Sequence, residues 1–594
     1  MDTNSRKGTP RPGKYAAKSM CSKIRRPCRF CSWFCVALLF MADPLTDSLE
    51  SQSQAQVTPN EGSLHSLDDI LHYISVNWDR LSRSLDSCET FFDSKTDGEP
   101  VLYLPVEIES PPELAGLPER CKIRVERLPE KIIPADEKVV SEIRDHGLLF
   151  LQYPYVVPGG QFNEMYGWDS YFIVRGLLRS DRRDLARGMV ENFFYEIEHY
   201  GGVLNANRTY YLGRSQPPFL SSMILALYHA DAAAGSANLE WLAKAYQFAL
   251  SDYEQWTRAP HLAGDTGLSR YFDEGDGPVP EIMGDPSDYY RGVARYYLVN
   301  EGEKSRHLVL VDAQHPLDSR LGPAFEVSIC DPPTAPSTKS GCATMDRVGL
   351  AADYYKGDRS LRESGFDVTF RFGPYGVDTH HYAPICLNSL LYKTETDLEE
   401  ISRLLNRPAD AQRWREKAAD RKERINRYLW DANRGLFTDF NFETRRRSSY
   451  EYATTFYPLW VGLASKEQAL AEEKNLSSFE QAGGLAMSRY ESHGQWDYPY
   501  GWAPIHLLAI EGLRRYGYGA DADRLSEKFL SMVLENFRRD HTIREKYNVV
   551  TRSTVTRITA GYAVNVSGFG WTNAVFLELL HESPSELLAR LRKE

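Results

Sequence analysis

Leu185-Ala186-Arg187-Gly188-Met189-Val190-Glu191-Asn192-Phe193-Phe194-Tyr195-Glu196-Ile197-Glu198-His199-Tyr200-Gly201-Gly202 places Leu185, Met189, Val190, Phe193, Phe194 and Ile197 on one helical face. The pattern stops at a glycine pair, where a left-handed residue ends a helix at little steric cost. A second amphipathic run opens at Pro408 and puts Trp414, Ala418, Ile425, Tyr428 and Leu429 on one side with charges opposite. Further helical runs lie near 217–234, 238–257, 387–405, 466–475, 501–517, 521–538 and 572–592, and alternating β-branched runs are few. Many helices of ordinary length must each bury a face against neighbours. Helical hairpins closed into a ring do this and leave a central mouth, so the chain reads as all-α.

The 594 residues are 42 % hydrophobic, enough for a large core, and carry a net charge of −12. Phosphate binding needs clustered Lys and Arg, and the body of the chain has no such stripe, which excludes a nucleic-acid surface. The N-terminus differs: Lys18, Lys23, Arg25, Arg26 and Arg29 precede an apolar run from Phe30 to Met41 and a polar Ser/Gln stretch. That order matches an export signal, and the run falls short of the ~20 apolar residues of a membrane span. The expectation is an exported protein, periplasmic or secreted, that touches a membrane only if the leader stays attached; a cytoplasmic location is the alternative. Cys21, Cys28, Cys31 and Cys35 belong to this leader, while Cys88, Cys121, Cys330, Cys342 and Cys386 are too sparse and odd in number for a disulfide framework. Cys330 and Cys342 flank a Pro/Ser/Thr-rich loop and are the pair able to join after export, and Cys386 reads as a small buried apolar residue.

Two segments carry dense polar and aromatic chemistry: Pro158-Gly159-Gly160-Gln161-Phe162-Asn163-Glu164-Met165-Tyr166-Gly167-Trp168-Asp169-Ser170-Tyr171, and Gln495-Trp496-Asp497-Tyr498-Pro499-Tyr500-Gly501-Trp502-Ala503-Pro504. An indole face covers the C–H face of a pyranose, and Asp, Asn and Gln take its hydroxyls in directed bonds. Carbohydrate is therefore the substrate class to expect.

Both segments resemble the signature stretches of the trehalase family of glycoside hydrolases, with wording nearest to the fungal neutral trehalases. Four more match in the same order: Leu204-Asn205-Ala206-Asn207-Arg208-Thr209-Tyr210-Tyr211-Leu212-Gly213-Arg214-Ser215-Gln216-Pro217-Pro218-Phe219, Glu363-Ser364-Gly365-Phe366-Asp367, Glu545-Lys546-Tyr547-Asn548 and Gly568-Phe569-Gly570-Trp571-Thr572-Asn573. The resemblance implies an (α/α)6 barrel and inverting hydrolysis of α,α-trehalose to glucose without cofactor or metal. It assigns Asp367 as general acid and Glu545 as general base. Inversion needs one protonated carboxyl on the leaving oxygen and one carboxylate activating water on the opposite face, about 6.5–9.5 Å apart. Sugar-binding positions carried over are Gln161, Phe162, Trp168, Asp169, Asn205, Arg214, Gln216, Glu281, Gly365, Trp496, Asp497 and Trp571.

Three positions depart from the family. Gln161 and Val279 stand where arginines are expected, and no acidic residue occurs around Tyr562, shortly before Gly568-Phe569-Gly570-Trp571. A guanidinium offers five fixed donors and a permanent charge, which neither Gln nor Val replaces. A hydrolase of a related α-glucoside, or a sugar-binding protein without turnover, are the competing readings.

His380-His381, His493, His506 and His541 lack metal-binding spacing and read as packing or loop residues. Expected domains are a leader (1–56), an extension wrapping the barrel (57–140) and the catalytic barrel (141–594), with long insertions over the mouth between 259 and 375. The expected partner is a small disaccharide; the oligomeric state is not legible.

Overall fold

The computed structural model describes residues 67–95, 98–132, 137–281, 286–311, 317, 322–329 and 343–593. The leader lies outside them, as do Cys330 and Cys342. Seventeen α-helices are present among the described residues, and strands are short. They are α1 Leu67–Leu81, α2 Leu117–Cys121, α3 Glu137–Glu142, α4 Asp169–Arg179, α5 Arg183–Tyr200, α6 Leu220–Ala233, α7 Leu239–Trp256, α8 Pro286–Glu301 and α9 Ala352–Glu363. After these come α10 Ile385–Leu404, α11 Pro408–Tyr428, α12 Tyr457–Trp460, α13 Lys466–Asn475, α14 Ala503–Arg515, α15 Gly519–Asp540, α16 Gly570–Glu582 and α17 Ser585–Leu591.

Six helices close a ring: α4 packs on α6, α6 on α10, α10 on α12, α12 on α14, α14 on α16, and α16 back on α4. Outside it, α5 packs on α4, α7 on α6, α11 on α10 and α15 on α14, α13 follows α12 in chain order, and α1 packs on α15 and α16. This is the (α/α)6 barrel. The inner helices are apolar nearly all round, as doubly covered helices must be: in α6 all residues from Leu220 to Leu225 are buried. Inside the ring, Arg175 Nη2 of α4 lies 2.7 Å from both Glu511 of α14 and Glu578 of α16, so one guanidinium ties three inner helices.

Local signals set the boundaries. Ser465 and Gln468 form a reciprocal capping box at the start of α13. Pro408 opens α11, whose buried face is Ala411, Trp414, Ala418, Arg421 and Ile425. The expected run 572–592 is instead two helices, because Pro584 cannot donate to the ladder and turns its predecessor away from helix.

Connections alternate in length. Each inner helix passes to the next helix in sequence through a short turn: 180–182, 234–238, 405–407, 461–465, 516–518 and 583–584. Returns to the next inner helix are long: 201–219, 257–384, 429–456, 476–502 and 541–569. The long connections therefore gather at the end of the barrel where the inner helices begin.

The longest return holds more than loop. There α8 packs on a three-stranded antiparallel sheet in which Ala343–Leu350 lies between Leu308–Leu310 and Phe325–Ile329. Tyr290, Val293, Tyr297, Phe325, Val327, Val348 and Tyr354 give this insertion a core of its own.

Cys88 and Cys121 are joined in a disulfide, Cα atoms 5.1 Å apart, a pairing that the sparse, odd-numbered set of cysteines did not suggest. Cys386 is buried and free, as expected. No helix among the described residues is long and apolar enough to cross a membrane.

Candidate active site

The long connections enclose a cavity of ≈ 390 Å³, within the range of small-ligand sites. Phe162, Trp168, Asp169, Asn205, Gln216, Glu281, Gly365, Asp367, Trp496, Glu545 and Trp571 all line it. Gln161, Arg214 and Asp497 do not. Arg214 sits one step back, its Nη2 2.5 Å from Glu281 Oε1 and its Nε 3.6 Å from Asp273 Oδ2. It orients Glu281 rather than facing the cavity.

Asp497 points away altogether. Its Oδ1 accepts from Thr369 Oγ1 at 2.7 Å, and its Oδ2 from the Phe370 amide at 2.8 Å and Ser492 Oγ at 2.5 Å. It anchors the chain just beyond Asp367. Gln161 leaves its side-chain amide nitrogen buried and unpartnered, while its carbonyl accepts from Lys95 Nζ at 3.2 Å. Lys95, from the N-terminal region, lines the cavity and is held by Glu164 at 2.9 Å.

The aromatic wall has a definite construction. Trp496 stacks on Trp502 with ring centroids 3.8 Å apart and 7° between planes. Trp168 sits edge-on to Trp571 and to Phe366, each with centroids at 5.5 Å. Gly365, at φ 75°, lies beneath Trp168: a Cβ there would fall 2.9 Å from the indole Cε2. The Trp168 amide donates to Gln216 Oε1 at 3.0 Å, locking the turn into α4 against the 201–219 connection.

Two carboxyl groups occupy contrasting surroundings. Asp367 keeps 30 % of its side chain open, facing the cavity, with Arg362 Nη1 3.6 Å from Oδ2. Burial among the cavity walls pushes its pKa up to about 6, against the opposing pull of Arg362. Gln495 donates its side-chain amide to the Asp367 carbonyl and accepts from Lys546 Nζ at 3.1 Å. Glu545 is 1 % exposed, and burial raises its pKa while Lys546 and Tyr562 hold it down. Lys546 Nζ lies 3.3 Å from Oε2, and the Tyr562 hydroxyl donates to Oε1. Asp169, which also lines the cavity, is raised well above the usual carboxylate range, first by burial and also by the charges of Glu545 and Asp367.

Residue reading missed Arg362, Lys546, Gln495 and Tyr562. Arg362 comes from the last turn of α9, its Nε 3.9 Å from Glu281 Oε1. A guanidinium thus stands beside both cavity acids even though Val279 is buried and apolar. Asn207, which fits a glycosylation pattern, is fully buried, its Oδ1 accepting from the Met165 amide at 2.8 Å.

An (α/α)6 barrel whose long connections present a tryptophan-walled cavity lined by carboxyl groups defines a glycoside hydrolase. The profile of the Trehalase family matches residues 82–296 and 337–584. The chain belongs to the trehalase family. It is 36 % identical over 558 residues to the cytosolic neutral trehalase of Saccharomyces cerevisiae, covering 84 % of this chain and 69 % of that one. Against the Kluyveromyces lactis cytosolic neutral trehalase it is 35 % identical over 561 residues, with the same two shares. The solved structure of neutral trehalase Nth1 from Saccharomyces cerevisiae superposes with a TM-score of 0.69 at 35 % identity, over 88 % of this chain and 95 % of that one. These relatives overturn the expectation of export. They are named cytosolic, as are those of Neurospora crassa and Beauveria bassiana.

Proposed function

We propose that this chain hydrolyses α,α-trehalose to glucose by a single inverting displacement in which Asp367 is the general acid and Glu545 the general base. Asp367 gives its proton to the bridging oxygen as the C1–O bond breaks. A water oxygen bonds to the same carbon from the opposite face, and its proton passes to the Glu545 carboxylate. One glucose leaves with retained and one with inverted anomeric configuration. The proton on Glu545 then returns through solvent to Asp367.

The observation that carries this reading is that both carboxyl groups line one tryptophan-walled cavity yet have different partners. Burial lifts Asp367 to a pKa of about 6, while the rise that burial gives Glu545 is opposed by an ammonium and a phenol on its two oxygens. Trp168 and Trp571 cover pyranose faces, and Asp169, Asn205, Gln216, Glu281 and Arg362 take hydroxyls. Residues 57–140 act as an extension to a barrel at 141–594, contributing α1 to the outer layer and Lys95 to the cavity wall.

The test is glucose release from trehalose by the purified chain and by Asp367→Asn and Glu545→Gln. Each variant is expected to lose turnover by more than about 100-fold while melting as the parent does. Wild-type turnover in either one removes the assignment.

A further inference from the structure

Among the described residues, one cluster of mixed imidazole and carboxylate donors lies outside the cavity lining. Asp353, in the first turn of α9, places Oδ1 3.0 Å from His380 Nε2 and 3.4 Å from His381 Nε2. The two histidines form a short 3₁₀ turn, Thr379–His381, ahead of α10. One ligand atom from each of the three residues lies within 4.8 Å of the others. The tandem histidines carry no metal spacing by themselves; the carboxylate comes from 27 residues upstream and meets them only through the fold.

The same geometry suits a bound ion. Both imidazoles aim Nε2 at the same carboxylate oxygen, and their rings lie 3.8 Å apart by centroid. Hydrogen bonds from both rings need a proton on each Nε2, whereas a bound ion needs both Nε2 lone pairs free and moves the protons to Nδ1, and neither Nδ1 has a protein partner in either state. A single cation on the two Nε2 lone pairs and Oδ1 satisfies all three at once. With metal–nitrogen and metal–oxygen bonds of about 2.0–2.2 Å, tetrahedral ligand atoms stand roughly 3.3 Å apart, close to the observed 3.0 and 3.4 Å.

We propose that Asp353, His380 and His381 form a binding site for a divalent transition metal of the zinc class, with water as fourth ligand. Two nitrogens and one oxygen select zinc, cobalt or nickel over magnesium or calcium, which prefer all-oxygen shells. Asp353, 39 % exposed, and His381, 21 % exposed, leave the site open to solvent for metal entry. The ion bridges the start of α9 to the turn before α10 and so closes the loop that carries Asp367. No carboxylate or carbonyl holds either Nδ1, so affinity sits below that of sites where such partners fix the tautomer. This site is independent of the assignment of the catalytic acids.

The test uses the full chain, stripped with EDTA and titrated with ZnCl2, CoCl2, MgCl2 and CaCl2, beside the double variant His380→Gln/His381→Gln. Cys21, Cys28, Cys31 and Cys35 are thiols that bind soft metals on their own account, so stoichiometry is read as the difference between the two proteins. The parent is expected to bind one more equivalent of Zn2+ than the double variant and to show a cobalt d–d band that the variant lacks. Zn2+ should raise the melting midpoint of the parent alone. Asp353→Asn, a milder change at a half-exposed position, should weaken Zn2+ binding by at least about 10-fold and covers the case in which the double variant misfolds. Equal zinc binding by parent and variants overturns the site, as does a parent that binds neither Zn2+ nor Co2+. Equal preference for Mg2+ overturns the metal class.

Discussion

The Tyr562 hydroxyl donates to Oε1 of Glu545 while Lys546 Nζ lies 3.3 Å from Oε2, so a phenol and an ammonium grip the two oxygens of one carboxylate. Lys546 Nζ also sits 3.7 Å from the centre of the Tyr562 ring, which binds the two gripping groups to each other. Tyr562 stands where the family resemblance led us to expect a carboxylate. A second carboxylate would repel the first and raise its pKa, whereas a phenol whose own pKa is raised well above the usual value remains a donor at every working pH.

Tyr562→Phe removes that donor and leaves the ring. A hydrogen bond to a charged group contributes about 1.5–3 kcal/mol, or about one to two pH units. Glu545 should therefore hold its proton to higher pH, moving the acidic limb of the kcat/KM profile upward by about one unit. The alkaline limb, set by Asp367, should stay in place. A profile with both limbs unmoved would show that the phenol does not govern the base.

Arg362 acts on the other acid. Its charge opposes the burial that lifts Asp367 to a pKa of about 6. A general acid works only while protonated, so kcat/KM falls as pH rises through that value. With Arg362→Met the pKa should climb further, and the alkaline limb should move to higher pH by about one unit or more. Turnover at the optimum should drop because the sugar loses a fixed fork of donors. A thermal melt in parallel checks that Asp358, 3.4 Å from Arg362 Nη2, tolerates the loss, and its bond from Tyr290 at 3.0 Å remains. An alkaline limb unchanged in a folded variant would contradict the pairing.

These residues show what a sequence carries and what it withholds. The barrel was legible because amphipathic period and end signals are local, as at Pro408 and the Gly201-Gly202 stop. Contiguous motifs also supplied residues that share one cavity lining: Trp168, Asp169, Asp367 and Glu545. Side-chain direction within a motif was not legible. Trp496 turns into the cavity and its neighbour Asp497 turns out to Thr369. Arg362 lies just ahead of a recognised motif, but its direction depends on the last turn of α9. The Cys88–Cys121 bond and the α8 insertion core rest on contacts between segments distant in sequence, and no local pattern encodes those. The leader misled for the opposite reason, since a basic-then-apolar order is a purely local feature.

Gly365 offers a test in which backbone strain and site geometry can be separated. Alanine at φ 75° costs about 1–2 kcal/mol, and its Cβ would also press to 2.9 Å from the Trp168 indole. That ring is wedged among Phe366, Trp496 and Trp571, so it has no direction in which to yield without moving the wall. Gly517 supplies the control, with φ 87° and nothing within 4 Å of a built Cβ. Gly517→Ala should lower the melting midpoint and leave trehalose kinetics alone. Gly365→Ala should lower the midpoint further and raise KM several-fold, because the indole face that covers the sugar is displaced. Equal kinetics in the two variants would mean that the position of Trp168 is not what sets sugar affinity.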